Sequence, residues 1–403
     1  MLGLGCTGGV EVVSQSTTGV VGEAASHGTA LSGDGRFVAF ESEATLTAGL
    51  PPETLFDVYV RDVELHTTTL VSADHAEATN AIDPSISADG RWVAFTRLPT
   101  HDFEVAHVFV WDRLTGETRR VSETADGTPG DGNSSRAEVS ADGRFVVFES
   151  FASNLVLGDS NGTEDVLVHD REAGTLERVS LTSSGAEAAG GAPAISGDGR
   201  FVSFASRATA LGATTHGDLF VRDREIGTTE RVAIGVDRQQ PLWARFDASG
   251  RRLLYARFGW CVALPPLPGC TAPPHELWIL DRDTDTHTPV ALDVELPSGL
   301  APQYGWSADG SRVAFATKLA LAPEDTNASS DVYVAEPATG DFRLASASAD
   351  GTPANAASGE TAISADGAFL TFASSANNLA PLPVPTGLQQ IYRKALATSE
   401  GAG

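Results

Sequence analysis

No run of about 20 apolar residues, the length a membrane-crossing helix needs, occurs in the 403-residue chain. Positive charge is scarce: 27 Lys and Arg stand against 53 Asp and Glu, a formal charge of -26. A surface of that sign repels phosphate backbones, so no nucleic-acid partner is expected. It fits solubility or the attraction of cations and basic partners. The linear signatures of common catalysis are missing as well. There is no Gly-x-Ser-x-Gly elbow, no His-Glu-x-x-His helix and no phosphate-binding glycine loop.

Cysteine is sparse, at three residues. Cys261 and Cys270 bracket the Pro-rich stretch Val-Ala-Leu-Pro-Pro-Leu-Pro-Gly. In an oxidising compartment they would close that loop as a local disulfide; two free thiols are the alternative. Cys6 stands in Met1-Leu-Gly-Leu-Gly-Cys6-Thr-Gly-Gly. This resembles the end of a bacterial lipoprotein signal, whose cysteine takes the lipid; a tag of small residues is the alternative. Either way residues 1–9 are expected to form a flexible leader outside the fold.

Glycine, by contrast, is abundant, at 41 residues, and much of it is periodic. Seven hairpin signatures recur: Ser32-Gly-Asp-Gly-Arg-Phe-Val-Ala-Phe40 and its counterparts opening at Ser87, Ser140, Ser196, Asp247, Ser307 and Ser364. Their glycines, at 35, 90, 143, 199, 250, 310 and 367, lie 51 to 60 residues apart. A period of that length marks an array of supersecondary units. Asp-Gly between apolar runs is a strong hairpin signal, because glycine takes the positive φ of the turn. The serine two positions earlier can bond the turn backbone.

A third strand follows in each unit, as in Asp57-Val-Tyr-Val-Arg-Asp62, His107-Val-Phe-Val-Trp-Asp112 and Asp165-Val-Leu-Val-His-Asp170. Its consecutive apolar residues imply cover on both faces. A fourth strand comes next in six units, as in Leu70-Val-Ser72. The seventh unit lacks one, while Val10-Glu-Val-Val-Ser14 has the right pattern at the other end of the chain. The spacing predicts an all-β fold: a seven-bladed β-propeller over residues 10–396 with four-stranded antiparallel blades. The N-terminal strand closes the last blade and covers an open sheet edge. Residues 397–403 are read as a flexible tail.

The Ser-x-Asp-Gly-Arg-x-Val-x-Phe motif and the Asp-Val-Tyr-Val-Arg-Asp strand resemble the WD-like β-propeller repeat of the TolB-type family, over about residues 10–396. The resemblance implies a bacterial envelope or secreted protein. It departs from TolB itself, whose smaller propeller follows an α/β domain with no counterpart in this sequence.

Within the units, the residue six before each signature Asp (or Ser249) varies most: Gly28, Asp83, Arg136, Ala192, Trp243, Gln303 and Glu360. In a propeller this position opens the innermost strand, at the mouth of the channel. Asp83, Arg136, Trp243, Gln303 and Glu360 are therefore the candidate ligand-binding ring, with His27 and Tyr304 beside it. Arg136 can fork onto a carboxylate, Trp243 can stack on a sugar or peptide ring, and the acids can take hydroxyls or a cation. Ordinary rim residues pairing with each other are the alternative.

Two loops carry Asp-x-Asn with a further Asp four residues on: Asp159, Asn161 and Asp165, and Asp325, Asn327 and Asp331. The pattern resembles half of a Ca²⁺ loop without its closing bidentate Glu; an Asx-turn leading into a strand is the alternative. The histidines do not cluster. His107 replaces the Asp that opens a third strand, and His169 stands where other units have Arg.

The expectation is a non-catalytic binding or scaffold propeller, monomeric and periplasmic, cell-surface or secreted. It would recognise a protein, small-molecule or glycan ligand at the channel mouth. The alternative is a propeller hydrolase or lyase with its site there, dependent on a divalent cation such as Ca²⁺.

Overall fold

The computed structural model describes residues 9–47, 55–72, 80–99, 104–236, 239–259, 275–292, 294 and 304–396. Cys6, Cys261, Cys270, Gln303 and residues 397–403 lie outside them.

The signature folds as the sequence predicts, and for the stated reason. In the first unit Gly35 takes φ +71°. Its N–H donates to Ser32 O at 2.9 Å, closing the turn. The Ser32 hydroxyl donates to Asp34 Oδ1 at 2.6 Å and accepts the Phe37 N–H at 2.9 Å. Where Asp247 replaces that serine, its Oδ1 accepts the Arg252 N–H at 3.2 Å instead. The turn glycine has a second role. A Cβ on Gly143 would lie 2.2 Å from Trp92 of the preceding blade, and one on Gly35 would lie 2.4 Å from Phe369. The hairpins of Gly35, Gly143, Gly199 and Gly250 thus press their backbone onto a neighbour's ring, and only glycine permits both the approach and the positive φ.

From each hairpin the chain builds one four-stranded antiparallel sheet, and seven such sheets form the blades. Blades 1 to 6 begin at Ser26, Asn80, Ser134, Gly191, Gln239 and Gly305 and run in sequence order. Blade 7 takes three strands from Ser358 to Ala395 and its outer strand, Val10–Val12, from the amino end. That closing strand pairs Val10 with Lys394 and Val12 with Tyr392. Ser14 Oγ donates to Gln390 Oε1 at 2.7 Å, fastening the junction.

Second and third strands form the buried middle of each blade. Cross-strand rings stack there, as in Phe40–Tyr59, Phe204–Phe220 and Phe372–Tyr392 at 5.7–5.9 Å. Such pairs add about 0.5–1.5 kcal/mol beyond their burial. Five signature arginines clasp the Asp that ends the third strand: Arg36–Asp62, Arg91–Asp112, Arg144–Asp170, Arg200–Asp223 and Arg251–Asp281, at 2.6–2.8 Å.

The chain divides into two compact units, residues 1–84 with 302–403, and residues 85–301. The first holds blades 6, 7 and 1; the second holds blades 3, 4 and 5 and the later strands of blade 2. Within each unit the first strands of successive blades lie against one another, the innermost position of a propeller.

Candidate functional site

The inner strands are not regular. In five blades the register against the second strand slips near the start: between His27 and Ala30, Ser135 and Glu138, Gly191 and Ala194, Leu242 and Arg245, and Gly359 and Thr361. The residue inside the slip has a left-handed backbone. Its φ is +50° at Gly28, +54° at Arg136, +51° at Ala192, +48° at Trp243 and +50° at Glu360; Asp83, at the same place in blade 2, has +54°. These are six of the seven ring positions named from sequence. Five are not glycine, and each such residue bears about 1–2 kcal/mol of backbone strain. A bulge re-aims the side chain it carries, so the strain accompanies a row of variable side chains lifted out of the pleat.

In the first unit these side chains are acidic and interlinked. Glu360 Oε2 accepts the Gly28 N–H at 2.8 Å, and His27 Nδ1 lies 3.5 Å from Glu360 Oε1. Glu41, at the end of the second strand, accepts the Asp83 N–H at 3.1 Å. Burial first, then the charges of Asp83 and Glu360, push Glu41 up to about 8. Its hydrogen bond to Glu360 raises His27, against the opposing effect of burial. At neutral pH Glu41 therefore keeps its proton.

In the second unit Arg136 Nη1 lies 2.8 Å from Glu149 Oε1, so the guanidinium is committed to a carboxylate of its own blade. Glu149 also accepts the Ala192 N–H at 2.9 Å and the Ser135 hydroxyl at 3.2 Å. Glu164 completes the group. Burial, then the charge and hydrogen bond of Glu149 against the opposing Arg136, push it up to about 8. A Cβ at residue 191 would fall 2.5 Å from Glu164 Oε2, so Gly191 leaves room for this acid. Trp243 stands edge-on to Phe258 at 5.8 Å, and its buried indole N–H has no acceptor among the described residues. Two residues further along the strands, Arg245 of blade 5 pairs with Glu138 of blade 3, reaching past blade 4.

The structure thus brings Arg136 to Glu149 and Glu164, and Glu360 to His27; rim residues do pair with partners, yet the Trp243 indole N–H retains its donor. Sequence reasoning missed Glu41, Glu149 and Glu164. The signal was present: the residue after the signature's last aromatic is Glu only at 41 and 149, against Thr96, Ala205, Ala256, Ala316 and Ala373 elsewhere.

The two Asp-x-Asn loops have the bonding of Asx-turns. Asn161 Oδ1 accepts the Thr163 N–H at 2.8 Å, and Asn327 Oδ1 accepts the Ser329 N–H at 2.6 Å. The amide nitrogens point donors at the carboxylates, Asn161 to Asp165 at 3.3 Å and Asn327 to Asp331 at 2.8 Å. Arg178 lies 3.4 Å from both Asp159 and Asp165, where a cation would sit, and Asp325 accepts the Tyr333 hydroxyl at 2.5 Å. Among the described residues no three His, Cys, Asp or Glu are grouped as metal ligands. His107 occupies an Asp position and keeps its bond, Nδ1 lying 3.2 Å from Ser122 Oγ.

No family model and no curated protein sequence matches the chain. Solved structures similar to it include TolB from Acinetobacter baumannii, at 17% identity over 68% of this chain and 55% of that one, TM-score 0.44. The chain spans about half the length of that TolB chain. An oligogalacturonate lyase from Vibrio parahaemolyticus is similar over 98% of this chain and 99% of its own, at 14% identity and TM-score 0.57. The β-propeller domain of the trilobed protease from Pyrococcus furiosus is similar over 93% and 94%, at 15% identity and TM-score 0.55. TolB-type and other β-propellers are thus among its structural neighbours, and likeness at these identities speaks to the fold.

Proposed function

We propose that this chain is a binding propeller that recognises a polar protein segment or small ligand at the bulged ends of its inner strands. One observation carries the reading. Strained φ values persist at five non-glycine residues whose identities differ from blade to blade, while the hairpins at the other end of the same strands repeat nearly residue for residue. Strain retained where sequence varies is the mark of a recognition surface. The Trp243 indole N–H supplies an unspent donor in the second unit, and Glu360 supplies an acceptor in the first. The formal charge of -26 favours neutral or basic ligands over polyanions. The test replaces Arg136, Trp243 and Glu360 together by alanine and compares binding across peptide and glycan arrays. Loss of the wild-type hits is expected; the same hits at the same affinity would rule the ring out.

The reading places the protein in the bacterial envelope or outside the cell, as a monomer, with Cys6 as candidate lipid attachment. Among the described residues no helix is long and apolar enough to cross a membrane. Calcium at the Asp-x-Asn loops is no part of it, since Arg178 and the Asn amides already meet those carboxylates.

A second reading rests on Glu149 and Glu164. Two carboxyls in contact, one of them raised by burial and by its neighbour's charge, are the usual makings of a catalytic acid site. This supports a hydrolase or lyase, and oligogalacturonate, named in a structural neighbour, is the first substrate to try. Turnover by the wild type that disappears in Glu164→Gln would establish it; no turnover on a glycan panel would end it.

A further inference from the structure

Beyond its fourth strand the chain turns through a short hairpin, bridged between Gln15 and Val21, Glu123 and Pro129, Leu181 and Glu187, and Ala347 and Pro353. Each of these hairpins reaches the outer strands of the next blade and faces one position of its third strand. That position is Arg61, His169, Arg222 or Lys394, as the pairing with Val38, Val146, Val202 and Leu370 shows.

In three gaps the position holds a cation that meets backbone carbonyls at the base of the hairpin. Arg61 donates to Ser16 O at 3.1 Å and to Thr68 Oγ1 at 2.9 Å. Arg222 donates to Thr182 O at 3.2 Å and to Thr229 Oγ1 at 3.1 Å. Lys394 Nζ donates to Ala345 O at 2.9 Å and Ala347 O at 2.8 Å. A hydroxyl latch backs both arginines. Thr68 and Thr229 donate to Gln15 O and Leu181 O, and their N–H groups bond Thr17 Oγ1 and Ser183 Oγ.

The gap between blades 2 and 3 has lost every one of these parts. The cation is His169, the threonine is Leu176, and the hairpin hydroxyl is Ala125. The carbonyls of Glu123 and Thr124, counterparts of those served elsewhere, receive no side chain of blade 3 among the described residues. His169 Nδ1 is buried without a partner. In place of the missing side chain there is a cavity of about 700 Å³, with Leu155, Leu176 and Val121 in its walls. It lies wholly within the second unit.

We propose that this gap binds an organic cation, a guanidinium or primary ammonium on an alkyl stem, which takes the place filled by Arg61, Arg222 and Lys394 in three other gaps; in the remaining three that position is Trp111, Leu280 or Ala335. The cavity has the size of an ordinary small-molecule site. Val121, Leu155 and Leu176 in its mixed wall suit the stem, and the hairpin carbonyls suit the head. The wall carries three arginines, whose charge is countered by the carboxylates of Asp112, Glu117 and Glu123 in the same wall. Arg120 pairs with Glu123 at 3.2 Å and Arg119 with Glu117 at 3.0 Å. Arg171 lies 3.3 Å over the Trp92 ring and donates to Gly143 O at 2.6 Å. Burial, with Arg171 adding to it, holds His169 below its ordinary value, so the imidazole brings no charge of its own at neutral pH.

The test is calorimetric titration at pH 7.5 with n-butylguanidinium, against n-butylurea as the neutral isostere. The wild type is expected to bind the cation saturably and to ignore the urea. His169→Arg, which supplies the missing guanidinium internally, is expected to weaken binding at least tenfold, and His169→Lys likewise. Absence of saturable binding to the wild type, equal binding of the urea, or undiminished binding in both variants would overturn the proposal. Failure of both variants to fold would also overturn it, because three other gaps accommodate these very side chains.

Discussion

The two ends of each inner strand treat charge in opposite ways. At the hairpin end the third-strand aspartates meet arginines in near-identical clasps, and their carboxyls are held down. Arg144 holds Asp170 at about 2, and Arg91 lowers Asp112. At the bulged end carboxyls crowd each other under cover, and Glu41 and Glu164 rise to about 8. The first arrangement favours the folded ring at working pH; the second works against it. A group of charges that opposes folding, next to backbone that is itself strained, is where a protein departs from its own structural rules for the sake of recognition.

The sharpest way to break this contrast is to exchange glycine between the ends. Gly143→Ala must place a methyl 2.2 Å from Trp92 at φ +73°. A loss of roughly 2–5 kcal/mol is expected from overpacking and backbone strain together, read as a large fall in denaturation midpoint. A loss below about 1 kcal/mol would mean that the hairpin end is as tolerant as the mouth.

Next in size is the pH behaviour of Glu41. Its folded value of about 8 exceeds the unfolded value near 4.5. The native state therefore binds a proton that the unfolded chain has released. Stability from this group is complete below about pH 4.5, falls as pH rises through 8, and is level above that. Glu41→Gln keeps an acceptor for the Asp83 N–H and removes the burden. At pH 8.5 it is expected to gain roughly 2–3 kcal/mol over the wild type, at about 1.4 kcal/mol per pKa unit with a discount for relaxation. At pH 4 the two should match. Urea denaturation at both pH values decides this, and a gain that does not depend on pH would remove the electrostatic account of the mouth.

The same contrast explains what could be read in the sequence. The hairpin end was legible because turn chemistry is local: Ser32, Asp34 and Gly35 make their bonds within five residues. Even the closing strand was legible, since Val10–Val12 completes a count that is otherwise one short. The ring positions could be located by their variability, but not the bulge that strains them. Nor could the raised acids be found, because Glu164 and Glu149 meet through the register of strands that a linear pattern does not reveal. His169 stood out as a histidine in an arginine position; that it opens a cavity depended on Leu176 and Ala125 changing with it.

A smaller effect tests the strain directly. Ala192 is buried with φ +51°. Ala192→Gly should relieve about 1 kcal/mol of left-handed strain, less what glycine loses to unfolded-chain entropy, for a net gain of about 0.5 kcal/mol. The corresponding change at a φ-negative inner-strand residue, Ala194→Gly, should destabilise instead. If both destabilise alike, the bulge carries no strain and the argument for a recognition surface weakens.

The smallest effect belongs to a single clasp. Arg144 is exposed enough for solvent to screen its pair with Asp170, so Arg144→Gln should lower the midpoint by less than Ala192→Gly raises it. Its pH signature matters more than its size. Asp170 is depressed, so the stability it lends is complete above the unfolded carboxylate value near 4 and is lost as pH falls through about 2. The difference between Arg144→Gln and the wild type should therefore shrink as pH drops below 4. Arg144 also lies over the Phe145 ring at 4.8 Å. A difference that survived at pH 2 would assign the clasp to that packing rather than to charge, and the hairpin end would then differ from the mouth in geometry alone.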